Sequence, residues 1–227
     1  MYPHLARIGA PALIVGAFTL VGATLLHPME ADPNDAVAAF AEYAADPLWI
    51  TSHLGQFVGI ALLGAGLVGL AATMETGKPA AWGRIGLLGT SASVAATAAL
   101  QAVDGIALKV AVDRWAAATG EARSRAFESA FAVRQVEIGL ASLTGLLFGC
   151  TLLVFGIAML AGRRFPRWLG WIGVAGGIGT IAGGTAQAYT GFSSLAMTIG
   201  MPANAAVLVW AVAAGVYMWR QQDRRDG

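Results

Sequence analysis

Charge is what this sequence has least of. Only 12% of its 227 residues are Asp, Glu, Lys or Arg, while 57% are hydrophobic, a balance too apolar for a water-soluble domain of this length and typical of a helical membrane protein. Cysteine is almost missing. Cys150 stands alone inside an apolar run, so neither a disulfide framework nor a Cys-x-x-Cys metal site can form within one chain. The net charge of +1, with basic residues gathered at segment ends, leaves no electrostatic footprint for nucleic acid. Alternation of apolar and polar residues is also lacking, which argues against strands. So are HExxH, ExxH and DxxD spacings and any Ser, His and Asp order that would mark a nucleophile.

What is present is a succession of long apolar segments. The first runs from about Ile8 to His27, at about 19 residues longer than a usual signal-peptide core and without a small-x-small cleavage end, so it reads as a transmembrane helix that Pro28 terminates. A second is expected from about Leu48 to Met74, with Gly55, Gly59, Gly66 and Gly69 permitting close helix contact. The third begins near Trp82 and meets no stop signal at the expected membrane edge. It continues past Lys109, Asp113 and Arg114 to Thr119 and Gly120, and a return helix from Glu121 descends as the fourth span to about Ala161, making a hairpin that projects beyond the bilayer. The fifth, Trp168 to Tyr189, is so rich in glycine (Gly173, Gly176, Gly177, Gly179, Gly183, Gly184) that it is expected at the bundle centre. An uncharged link, TGFSSLAMTIGMP, leads to a sixth helix from about Asn204 to Trp219. The expected fold is all-α, a polytopic bundle of six transmembrane helices forming one integral membrane domain over residues 1–227.

Between Met29 and Trp49 there is no Lys or Arg, only Glu30, Asp32, Asp35, Glu42 and Asp46. Asp32 or Asn34 can cap a short amphipathic helix reaching about Ala45, with Val37, Phe40, Ala41 and Ala44 on one face, lying on the outer surface. Arg7, Lys78, Arg84, Arg163, Arg164, Arg167, Arg220, Arg224 and Arg225 fall on the opposite side, which predicts both termini in the cytoplasm of a plasma (inner) membrane protein. The other five basic residues, Lys109, Arg114, Arg123, Arg125 and Arg134, lie in the hairpin among acids.

Four apolar segments carry an ionisable group at about one height: His27, His53, Asp104 and Glu137. Each has a polar residue three positions away (Glu30, Gln56, Gln101 and Arg134), so on a helix each pair shares a face. At about 1.5 Å per residue from the nearest inside basic residue, His27, Asp104 and Gln187 come out roughly 30 Å up, His53 and Glu137 roughly 38 Å and Asn204 roughly 24 Å. Tyr189 belongs to the same outer layer. The inner halves of the helices hold essentially no ionisable groups, which disfavours a through-going pump or channel and favours a polar pocket in the outer leaflet.

Two imidazoles and two carboxylates are donor types that bind a divalent metal such as Zn, Mn or Fe, with Gln56 and Gln101 orienting them. Such a metal would assist chemistry on a lipophilic small molecule entering from the lipid bilayer. A second reading has His27 and His53 ligating a haem b iron between their helices, with Arg134 or Lys109 on the propionates. A third uses Asp104 and Glu137 as metal-free acid and base in an isoprenoid cyclase or isomerase. A fourth is a non-enzymatic lipid-binding subunit, or one that pairs with a partner membrane subunit or a second copy of itself. Plainer roles stand beside these: interfacial histidines for His27 and His53, and ion pairs for Glu137 with Arg134 and for Asp104 with Lys109. The glycine runs of the fifth helix read as packing glycines, Met197 and Met201 as interface anchors, and the acidic first loop as a solvated face.

Overall fold

A computed structural model describes residues 3–226, with side chains from His4 to Gln221; those of Arg224 and Arg225 lie outside the described set. The chain is all-α, with six helices long and apolar enough to cross a membrane. In order they are α1 (Pro3–Leu25), a short α2 (Ala36–Ala45), α3 (Trp49–Ala72), α4 (Lys78–Gln101), a π-helical segment (Ala102–Leu108), α5 (Lys109–Ala117), α6 (Gly120–Ala161), α7 (Arg167–Thr190) and α8 (Ser194–Asp226). This is a multi-pass membrane protein. The π segment joins α4 to α5, so the third span runs unbroken from Lys78 to Ala117. Gly120, at φ +56°, provides the left-handed backbone at the tip from which α6 returns. The projecting hairpin is therefore there, made of α5 and the first turns of α6.

The six spans close into a ring. Neighbours around it are α1 and α3, α3 and α4, α4 and α6, α6 and α7, α7 and α8, and α8 and α1. Small residues set the spacing: a Cβ on Gly9 of α1 would lie 2.5 Å from the Gly69 Cα of α3, and one on Gly177 of α7 only 2.7 Å from the Gly149 carbonyl of α6. Lipid tails supply no hydrophobic drive between helices, so such close backbone contact is the main source of association. The glycine-rich α7 is consequently a member of the ring, not its centre as the sequence predicts. Its glycines face α6 on one side and α8 on the other, while Trp168, Trp171 and Ile178 point outward. The axis of the lower half is filled instead by side chains from several helices, including Leu13, Leu67, Leu70, Phe155, Trp210 and Met218.

Two further expectations change. The link before the sixth helix is itself helical: α8 starts at Ser194, where the Ser193 hydroxyl accepts the Ala196 amide (3.2 Å), and Pro202 lies inside the helix. The short α2 is capped by Asp35, whose carboxylate accepts the amides of Val37 and Ala38. It does not simply lie on an outer surface; it packs on the hairpin. Ala39, Phe40 and Tyr43 are buried with Trp49, Leu108, Val112, Trp115, Ala126 and Ala130, while Val37 is 57% exposed. At about 1.5–3 kcal/mol per fully buried large side chain, this second core holds the hairpin against the loop that follows α1.

Candidate functional site

The α1 helix ends at Leu25 and the chain bends, with the His27 amide donating to the Thr24 carbonyl. Its imidazole turns back under α2. The Nδ1 proton goes to the Pro28 carbonyl at 2.7 Å, and the ring packs against those of Trp49 (4.8 Å between centroids), His53 (5.1 Å) and Tyr43 (6.3 Å). Burial, and secondly the neighbouring His53, hold His27 below its ordinary value of 6.5, so its resting form is neutral. Burial likewise pushes the Tyr43 phenol up to about 12 and keeps it protonated.

His53 lies one turn into α3 and is fully buried. Its Nδ1 is 2.6 Å from the Trp49 carbonyl, which can only accept, so Nδ1 carries a proton and Nε2 is turned to the Asp104 carboxylate at 3.1 Å. That contact lies off the line of a straight hydrogen bond, and the second carboxylate oxygen, Oδ1, is buried without a partner among the described residues. The π segment explains why Asp104 reaches there. One extra residue in the turn rotates Asp104 toward α3, the Trp49 indole donates to the Asp104 carbonyl (3.1 Å), and Gly105 leaves room where a Cβ would sit 2.5 Å from the His53 Cβ. His53 Nε2 is likewise without a hydrogen-bond partner among the described residues, so imidazole and carboxylate face each other at ion-pair distance. The expected Asp104–Lys109 ion pair does not form: Lys109 donates to Asp113 and to the Tyr43 and Ala44 carbonyls, locking α2 to the hairpin.

Glu137 and Arg134 form their own buried unit. Arg134 Nη1 donates to Glu137 at 2.6 Å, Nη2 donates to the Tyr43 hydroxyl and the Pro33 carbonyl, and the guanidinium lies over Phe192 at 4.6 Å. The ion pair expected from their i,i+3 spacing is present. It ties α6, α2, the first loop and the α7–α8 connection together.

One turn toward the membrane from His53 and Asp104 lie Gln56 and Gln101, and the Gln101 amide donates to the Gln56 carbonyl oxygen at 3.2 Å. Both line a cavity of about 390 Å³ on the axis of the ring. All six spans contribute to its wall, among them Thr24, Ile60, Thr97, Thr144, Thr180 and Asn204. Most of that wall is apolar. Thr97 and Thr180 spend their hydroxyls on their own helix backbones, whereas Gln101 Oε1 and Thr144 Oγ1 are buried with no partner among the described residues. Gln187 Nε2 is orphaned in the same way, two turns along the face of α7 that carries Thr180. Leu25, 73% exposed, and the exposed Asn204 mark the cavity mouth.

The structure therefore brings His27, His53 and Asp104 together and holds Glu137 apart with Arg134. Glu30 is not beside His27, because the helix has ended; its amide instead donates to Glu42. Tyr189, expected in the polar layer, is 87% exposed and outside it. Among the described residues no group of three or more His, Cys, Asp or Glu side chains is placed to hold a metal ion, since Glu137 is turned onto Arg134. The geometry lends haem no support either. Trp49 packs on both imidazoles (4.8 and 4.5 Å), and the two rings are tilted at 55° in mutual contact, with no slot between them for a macrocycle. Sequence reasoning missed Tyr43, Trp49 and Thr144. The two aromatics border an acidic loop with no spacing that points to the histidines, and a lone threonine in a span carries no signal.

The family described as Domain of unknown function (DUF4386) matches residues 98–219, more than half of the chain, and the chain belongs to it. The match takes in Gln101, Asp104, Arg134, Glu137, Thr144, Gln187 and Asn204, and leaves out His27 and His53. No curated protein and no solved structure matches the chain.

Proposed function

We propose that this protein binds a neutral lipophilic small molecule in the axial cavity of its helix ring, in the outer leaflet of the plasma membrane. One observation carries the reading: a cavity of about 390 Å³ walled by all six spans, mostly apolar, in which Gln101 Oε1 and Thr144 Oγ1 are buried without a partner among the described residues. That is the composition of a small-molecule site, in which apolar wall supplies affinity and a few fixed polar groups supply orientation. Burying those two atoms unpaired would cost about 1–3 kcal/mol each, and a ligand hydroxyl or similar group offsets it. Among the described residues no charged side chain lines the cavity, so an ionised ligand is disfavoured.

A second reading adds chemistry, and the His53–Asp104 pair favours it. A buried imidazole and a partly buried carboxylate 3.1 Å apart, one turn above the cavity, are suited to acid–base work, and π-helical turns recur at functional sites. Access from the cavity to His53 would require the Gln56–Gln101 bridge to open.

Solvent extraction and mass spectrometry of the purified protein test both. Wild type is expected to carry a neutral lipophilic molecule at near-equal stoichiometry, and Thr144→Phe, which fills the cavity, to lose it while melting normally. Wild-type protein that carries nothing, or a Thr144→Phe variant that carries as much, would overturn ligand binding. If the pair does chemistry, Asp104→Asn retains a precursor that differs in mass from the wild-type ligand; the same molecule in both leaves binding alone.

A further inference from the structure

On the outside of the ring a groove of about 520 Å³ runs between α1 and α8, toward the end of the bundle that bears the arginines. Phe18 and Val21 of α1 form one wall, and Val209, Val212 and Val216 of α8 form the other. Its floor is close-packed where the helices meet deeper down: a Cβ on Gly215 would lie 2.8 Å from the Ala10 carbonyl. Along its length the lining is apolar. At one end it closes on Trp168, Tyr217 and Arg220. Trp168 is 53% exposed and Arg220 is exposed, with no ion-pair partner for Arg220 among the described residues.

We infer that this groove is a binding site for one acyl chain of an anionic phospholipid, with its phosphate at Arg220. From Leu208 to Arg220 the groove follows twelve residues of helix, about 18 Å at 1.5 Å per residue, which is the depth of rather more than one leaflet's hydrocarbon. Trp168 and Tyr217 stand at the level where aromatic rings meet headgroups, and the exposed guanidinium beside them, without an ion-pair partner among the described residues, presents a planar fork to a phosphate. Arg163 and Arg167 follow in the turn that leads into α7 and make this end of the bundle basic, so the occupant it complements is anionic rather than zwitterionic. A second copy of the chain would have to bury those guanidiniums against its own, because the groove's charged end is basic in both. Binding here is independent of the axial cavity, which lies inside the ring and shares with the groove only Val21 and Leu208.

The test is native mass spectrometry of the full chain released from nanodiscs that contain equal amounts of phosphatidylglycerol and phosphatidylcholine with matched acyl chains. The wild type is expected to retain phosphatidylglycerol preferentially. An Arg220→Gln variant should lose about five-fold of that preference, the effect of removing about 1 kcal/mol of attraction per basic residue near an anionic surface. A Val212→Trp variant, which fills the groove and leaves Arg220 in place, should retain less of both lipids. Circular dichroism and gel filtration establish that each variant is folded. Equal retention of the two lipids by wild type, an unchanged preference in Arg220→Gln, or a dimer that lipid does not displace would each overturn the site.

Discussion

The residues that matter most are those whose polarity the fold must satisfy from within. Arg134 and Glu137 are 5% and 2% exposed and bonded at 2.6 Å. Removing one member of such a pair strands the other, at about 3–5 kcal/mol, whereas replacing both with apolar residues of similar volume is near neutral. Glu137→Leu is therefore expected to lower thermal stability strongly, and Arg134→Met with Glu137→Leu to restore much of it. Additive losses in that double-mutant cycle would show that the two side chains act separately. His27 makes a different prediction. Its value lies below 6.5 in the folded protein because burial, and then His53, disfavour its charge. Below pH 6.5 the unfolded chain takes up a proton that the folded chain refuses, so stability held at neutral pH falls as the pH drops through 6.5 toward the lowered value. Melting curves from pH 7.5 to 5 should decline more steeply for wild type than for His27→Gln. Parallel curves would mean that His27 is already charged or exposed. These side chains were legible by type and by approximate height, but their partners were not. Sequence spacing pairs His27 with Glu30 and Asp104 with Lys109, whereas the end of α1 at Leu25 and the π segment rotate both away and present Asp104 to His53.

At the scale of elements, legibility followed the strength of the local signal. Long apolar runs bounded by polar or turn residues, such as α3, α6 and α7, fall within a few residues of their expected bounds, because hydropathy and turn residues decide them locally. The start of α8 was misplaced by ten residues, since Ser, Gly and Pro in TGFSSLAMTIGMP weigh against helix in water. In a membrane every backbone amide must be paired internally, and that requirement overrides propensity. The π segment had no signature at all. It exists because His53, Trp49 and Gly105 meet across two helices, a tertiary circumstance that no local pattern encodes. The buried face of α2 was rotated for a like reason: Tyr43 turns inward because Arg134 and Trp49 lie there, ninety-one residues away and six residues away in sequence. That rotation is what roofs the histidines, so the part of the site that sequence could not read is the part made by packing between elements.

For the molecule as a whole, six passes return both chain ends to the same end of the ring, and the remaining question is which side of the membrane that end faces. All 14 basic residues bear on it, nine near the chain termini and the short turns and five in the hairpin. The positive-inside bias is counted over short loops beside the spans, which gives weight to Lys78, Arg84, Arg163, Arg164 and Arg167. Four of the hairpin's five basic residues, all but Arg114, are committed elsewhere. Arg134 is buried on Glu137, Lys109 is tied to Asp113 and to α2, Arg125 pairs with Glu121, and Arg123 lies over Trp115 at 4.4 Å. Both termini are therefore expected in the cytoplasm, with His27, His53 and the mouth of the cavity at the outer leaflet. Cysteine labelling in intact cells checks this with two exposed positions in a Cys150→Ser background. Thr119→Cys, at the hairpin tip, should react with a membrane-impermeant maleimide, and Thr76→Cys, in the turn before α4, only after lysis. The reverse pattern would put the axial cavity on the cytoplasmic side and make its ligand an inner-leaflet or cytosolic molecule. It would also place the groove that ends at Arg220 in the outer leaflet, so one labelling experiment fixes the side from which each of the two sites is reached.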